Sequence, residues 1–142
     1  MYVVINCLKL RARNCVREGY MTAEMKVRLK EAGIDFDGIL ARLPGREDLI
    51  YRLLGKFLKE PCYNGLVESM QKQDYEAAFA HAHTLKGVTA NLEMTRLNKA
   101  TCTLVEKLRS KETDGIEADF EQVKKEYKQV VDIIQREVLT QE

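Results

Sequence analysis

Two histidines, His81 and His83, are all that this chain of 142 residues offers to chemistry that needs an imidazole. They lie in a segment from Asp74 to about Leu92 whose apolar residues return every three or four positions, which predicts an amphipathic helix. Neighbours two apart on a helix diverge by about 200°, so an H-x-H metal pair is geometrically poor here. With His83 at zero on a helical wheel, Ala78, His81, Leu85, Val88 and Leu92 fall within roughly 40° of the opposite pole and form the expected core stripe. His83 then faces outward. His81 is expected at the edge of the core, satisfied by a hydrogen bond.

Small and charged groups surround the outward histidine. Lys86 lies about 60° to one side of His83 and Gly87 about 40° to the other, with Glu76, Ala80 and Ala90 close by. Phe79, one turn earlier, is expected on the exposed side, where an aromatic beside a hollow would make a docking contact. Alanine and glycine lower the surface around the imidazole, so a macromolecular partner could approach it closely. An ammonium one turn away would steady a dianionic phosphoryl group attached to the ring. Glycine inside a helix costs about 1 kcal/mol relative to alanine, so Gly87 needs a steric reason, and access to His83 would supply it. A solvated helix face is the ordinary alternative for a histidine and a lysine at this spacing.

Other chemistries lack their signatures. The four cysteines, Cys7, Cys15, Cys62 and Cys102, form no C-x-x-C, so they read as half-buried thiols of a reducing compartment rather than as a zinc site or a redox pair. No G-x-x-x-x-G-K-[ST] loop or other nucleotide-binding segment occurs.

The elements that must position His83 are helical almost throughout. Thr22 caps a helix over Met25, Val27 and Leu29 that stops at Gly33, and Asp35 caps a short helix through Phe36, Ile39, Leu40 and Leu43, ended by Pro44-Gly45. Paired apolar positions predict a helix pair from about 46 to 72, kinked or broken at Pro61. Asp74 caps the histidine segment. The next helix carries a seam of Met94, Leu97, Thr101, Leu104 and Leu108. The last is expected to start with Asp114 as cap and to run on Ile116, Phe120, Val123, Tyr127, Val130, Ile134 and Val138. The expected fold is all-α: an antiparallel four-helix bundle with additional short N-terminal helices. Strand signal is confined to Tyr2 to Ile5, rich in β-branched residues.

Lys and Arg number 23 against 22 Asp and Glu, a net charge of +1 that argues against binding nucleic acid through a basic face. Lys9, Arg11, Arg13 and Arg17 against Glu18 concentrate positive charge in residues 1–20, which read as an N-terminal extension of unknown role ahead of a domain over residues 21–142. Met21-Thr-Ala-Glu reads like a natural start. The opening apolar run is short, lacks a basic lead and makes a poor signal peptide, and no segment is apolar enough to span a bilayer, so a cytoplasmic location is expected.

The run His83-Thr-Leu-Lys86-Gly87-Val-Thr-Ala-Asn-Leu92 resembles the H-x-L-K-G signature of histidine-containing phosphotransfer (HPt) domains, carried on the second long helix of a four-helix bundle. Lys56-Phe-Leu58 with Glu60-Pro61, the stretch Asp74 to Phe79, and the stretches Thr95-Arg-Leu97 and Leu104 to Arg109 extend the likeness toward small standalone bacterial members, over about residues 22–135. The resemblance implies a phosphorelay carrier of two-component signal transduction. It would accept a phosphoryl group on His83 from a receiver-domain aspartate and pass it to another receiver. Lys86 would stabilise the group and Gly87 leave room beside the ring. Such a carrier is not an enzyme in its own right and needs no cofactor, because the receiver brings the aspartate and magnesium. Its partners would be response-regulator receivers and a histidine kinase, with no nucleic acid or membrane. A monomer is expected, with residues 1–20 as the segment through which two copies could pair. A bundle that only binds a receiver or kinase, without transfer, is the rival reading. Two positions depart from the family pattern: Glu93, where many members have glycine, and His81, where an aliphatic residue is commoner.

Overall fold

The computed structural model describes residues 21–138, which form seven α-helices joined by short turns. The Thr22 side chain accepts a hydrogen bond from the Met25 amide and so opens α1, Ala23–Glu31, which ends at Gly33 in the left-handed conformation that glycine tolerates (φ +95°). Asp35 accepts from the Gly38 amide at 3.1 Å and opens α2, Phe36–Arg42. Pro61 separates α3, Glu47–Phe57, from α4, Cys62–Gln71, so of the expected kink or break the chain takes the break. Asp74 caps α5, Tyr75–Asn91, by accepting from the Ala77 amide. Then follow α6, Thr95–Ser110, and α7, Ile116–Glu137. Asp114 is not the cap of α7. The cap is Gly115, at φ +71° and without a side-chain hydrogen bond, while the Asp114 carbonyl accepts from Lys107 Nζ.

The broken pair α3 and α4 takes one place in the bundle, and α5, α6 and α7 take the other three, each packed on its predecessor. The seam predicted for α6 is buried in full, and Val105 joins it. On α7, Ile116, Phe120, Val123, Val130, Ile134 and Val138 are buried, and half-buried Tyr127 closes the ring of helices by stacking on Tyr63 of α4 at 3.5 Å between centroids. Ion pairs tie α7 to its neighbours at both ends: Lys107 to Asp119 (2.6 Å), Arg96 to Glu126 (3.2 Å), and Arg28 of α1 to Glu137, a carboxylate only 7% exposed. An isolated β-bridge between Ile34 and Met94 fastens the turn after α1 to the turn after α5. Among the described residues no helix is long and apolar enough to cross a membrane. Residues 1–20, with the strand signal at Tyr2 to Ile5, Cys7, Cys15 and the basic cluster, lie outside the described residues.

Candidate functional site

The site is built on α5. Ala78, Ala82, Leu85, Thr89 and Leu92 are buried, whereas Val88 and His81 are half-buried. The buried arc is therefore turned by about 40° from the expected one, toward α6. The wheel centred on the large apolar side chains missed Ala82 and Thr89. A small side chain lets the helices approach, and a threonine hydroxyl satisfies itself by donating to the Leu85 carbonyl at 2.8 Å.

The turn has a consequence for each predicted residue. Gly87 occupies the outward pole, and a Cβ placed on it would meet nothing within 4 Å. His83, Glu76, Ala80 and Ala90 are exposed as expected. Phe79 and Lys86, by contrast, are half-buried on the shoulder facing α6. Phe79 is thus not a free aromatic. Its ring packs on the core, lies 5.9 Å from the His83 ring at an interplanar angle of 25°, and carries the Arg109 guanidinium of α6 at 5.8 Å. Arg109, absent from the sequence-based set, flanks the imidazole through that ring. Lys86 takes part in none of the ion pairs among the described residues, so none of their carboxylates neutralises its ammonium.

His81 points the other way, toward α4, and its ring fits against Gly65, where a Cβ would come within 2.5 Å of the ring. No hydrogen bond to His81 is formed among the described residues, and packing on the bare glycine backbone places the half-buried ring. The two imidazoles therefore diverge. Among the described residues no cluster of three His, Cys, Asp or Glu could hold a metal ion. Cys62 is buried, and burial first, then the charge of Glu60, pushes its thiol up to about 11; Cys102 is half-buried.

Both ends of α5 are fixed. At the C-terminus Arg42 of α2 donates to the carbonyls of Asn91 (2.6 Å) and Ala90 (3.2 Å), placing a cation at the negative end of the helix dipole. The same guanidinium pairs with Glu93 at 2.9 Å. Glu93 adopts the left-handed conformation itself (φ +49°), so the turn that glycine would favour forms without one, with the carboxylate held by Arg42. At the N-terminus Tyr75, Glu76 and Phe79 join Leu108, Arg109 and Ile116 around a groove of about 540 Å³. An exposed imidazole on a low surface, beside an ammonium that no described carboxylate pairs and with its ring steadied by an aromatic, is suited to nucleophilic attack on a group presented by a second macromolecule.

No curated protein and no solved structure matches the chain. The family profile of the Hpt domain matches residues 52–133, from α3 through most of α7 and including the whole of α5. With more than half of its length matched around His83, the chain belongs to the Hpt domain family.

Proposed function

We propose that the chain is a phosphorelay carrier that takes a phosphoryl group on His83 from the aspartate of a receiver domain and passes it to a second receiver. Family membership gives the coarser statement, phosphotransfer in two-component signalling by a carrier that is not a classical enzyme. The observation that carries the finer one is the environment of His83: an exposed imidazole between Gly87, whose Cβ position is empty space, and Lys86, whose charge is unpaired among the described residues. In the transfer step the lone pair of the outer ring nitrogen, Nε2, attacks phosphorus while the aspartyl P–O bond breaks, its electron pair leaving with the carboxylate. Lys86 faces the charge gathered on the phosphoryl oxygens. The partner's aspartate pocket supplies magnesium and in-line geometry, and the reverse reaction delivers the group to the next receiver.

Partner docking would centre on the outward pole of α5, over Ala80, Gly87 and Ala90, with Glu76 and Phe79 toward the groove. Contact should be modest in area and short-lived, because two partners must use one face in turn. The near-neutral charge of a carrier that must leave its partners fits this, and a cytoplasmic location is part of the same proposal. The test incubates the chain with a phosphorylated receiver and follows the label. Acid-labile, base-stable phosphate on wild type and none on His83→Gln supports the carrier; a receiver complex without transfer supports the adaptor.

A further inference from the structure

Behind the acceptor face, α5 and α6 are joined by a hydrogen-bond cluster. Asn98, near the start of α6, donates through Nδ2 to the Lys86 carbonyl at 3.0 Å and to Thr89 Oγ1 at 3.1 Å. Thr89 in turn shares its hydroxyl proton between the carbonyls of Leu85 (2.8 Å) and Lys86 (3.1 Å). The Cys102 thiol donates to Asn98 Oδ1 at 3.6 Å, which fixes the amide the right way round. A flipped amide would set its oxygen against two other oxygens. Asn98 is half-buried and Thr89 fully buried, so these bonds form away from bulk water, where an unmade one is costly.

What the cluster grips is the peptide unit that joins Lys86 to Gly87. That unit lies where α5 is intrinsically weakest, because glycine loosens a helix by about 1 kcal/mol relative to alanine. The opening at Gly87 serves access, yet it would leave Lys86 free to drift relative to His83, one turn away. The bond to α6 removes that freedom from the buried side and leaves the outer face bare.

We propose that Asn98 is a positioning residue for phosphoryl transfer: by anchoring the Lys86–Gly87 peptide unit to α6, it holds the Lys86 ammonium in register with the His83 imidazole. The proposal rests on the carrier reading of His83. Asn98 acts through the Lys86 carbonyl and the buried Thr89 hydroxyl, behind the face that docks, so its effect belongs in the chemical step and not in docking.

Two variants test it. Asn98→Asp keeps the shape but loses the donor and sets a carboxylate oxygen against the Lys86 carbonyl; Asn98→Ala removes the bonds without repulsion. Single-turnover transfer from a phosphorylated receiver to wild type and to both variants is measured over a range of receiver concentrations. Amide hydrogen exchange of residues 86–90 is followed in parallel. Transfer at saturating receiver is expected to fall about tenfold in both variants, the size of loss that small misplacements of a reacting group produce, with half-saturation unchanged within about twofold. Exchange at Gly87 and Val88 is expected to speed up. A structural role alone would lower the melting temperature and leave saturating transfer at the wild-type rate, and that result overturns the proposal. A wild type that accepts no phosphate overturns the carrier reading and this inference together, whereas an active wild type with equally active variants overturns only the inference.

Discussion

Replacing Gly87 by alanine should move stability and transfer in opposite directions. The glycine lies inside α5 with helical geometry, and its Cβ position is open space, so alanine meets no obstacle in the free protein. Removing glycine's excess backbone freedom should stabilise the fold by about 1 kcal/mol, or roughly 3–6 °C in melting temperature for a domain of this size. In the docked complex the same methyl stands at the outward pole beside His83, where a receiver has to close on the imidazole. Overpacking a tight contact by a methyl group costs about 1–3 kcal/mol, which lowers kcat/KM for transfer about 5- to 150-fold. Gly87→Leu should lose more. Urea unfolding followed by circular dichroism measures the first quantity, and transfer from a phosphorylated receiver measures the second. Destabilisation by alanine would refute the reading of the free surface. Wild-type transfer by both Gly87→Ala and Gly87→Leu would show that the glycine does not serve access.

Other perturbations follow from packing and charge. Gly65→Ala drives a methyl into the His81 ring and should destabilise by about 1–3 kcal/mol; in a His81→Ala background the loss should shrink by at least about 1 kcal/mol, and additive losses in urea melts would break the link between the two residues. Arg28→Ala strands the buried Glu137 carboxylate and should cost about 1–3 kcal/mol, whereas an unchanged unfolding midpoint would show that α1 is not fastened to α7 by this pair. Stability should fall in alkali. Burial raises the Cys62 thiol from 9.0 to about 11 and the Tyr127 phenol from 10.0 to about 12, so the unfolded chain loses these protons first, and stability drains away as pH rises from about 9 to 12. Cys62→Ala should flatten the lower part of that fall, and an unchanged profile from pH 9 to 11 would remove the thiol from it.

The parts legible in the sequence were those written in local signals. Thr22, Asp35 and Asp74 announced their helices because a cap and the amide it binds lie three residues apart. The α6 seam and the break at Pro61 were equally local. The start of α7 misled, because Asp114-Gly115 offers an acceptor side chain and a left-handed glycine side by side, and the glycine takes the cap. That Lys86 and Gly87 flank His83 could be read from spacing alone, but not that Lys86 is half-buried on the shoulder facing α6. Their neighbours across helices could not. Arg109 reaches Phe79, Arg42 reaches the end of α5 and Asn98 reaches Lys86 only once the antiparallel register of α5 and α6 and the docking of α2 are fixed. For the same reason half-burial of Phe79 escaped a single-helix wheel, since the shoulder it occupies is covered by α6 and not by its own helix.

The central claim is that His83 is the group that carries phosphate. Incubating the full chain with a phosphorylated receiver domain, with label followed into the chain and mapped by peptide, tests it most directly. The account predicts rapid transfer to wild type, acid-labile and base-stable phosphate located on the peptide that holds His83, and none on His83→Gln even though that variant still folds and still leaves His81 in place. Phosphate that appears equally on His83→Gln, or a correctly folded wild type that takes none from any receiver it binds, would contradict it.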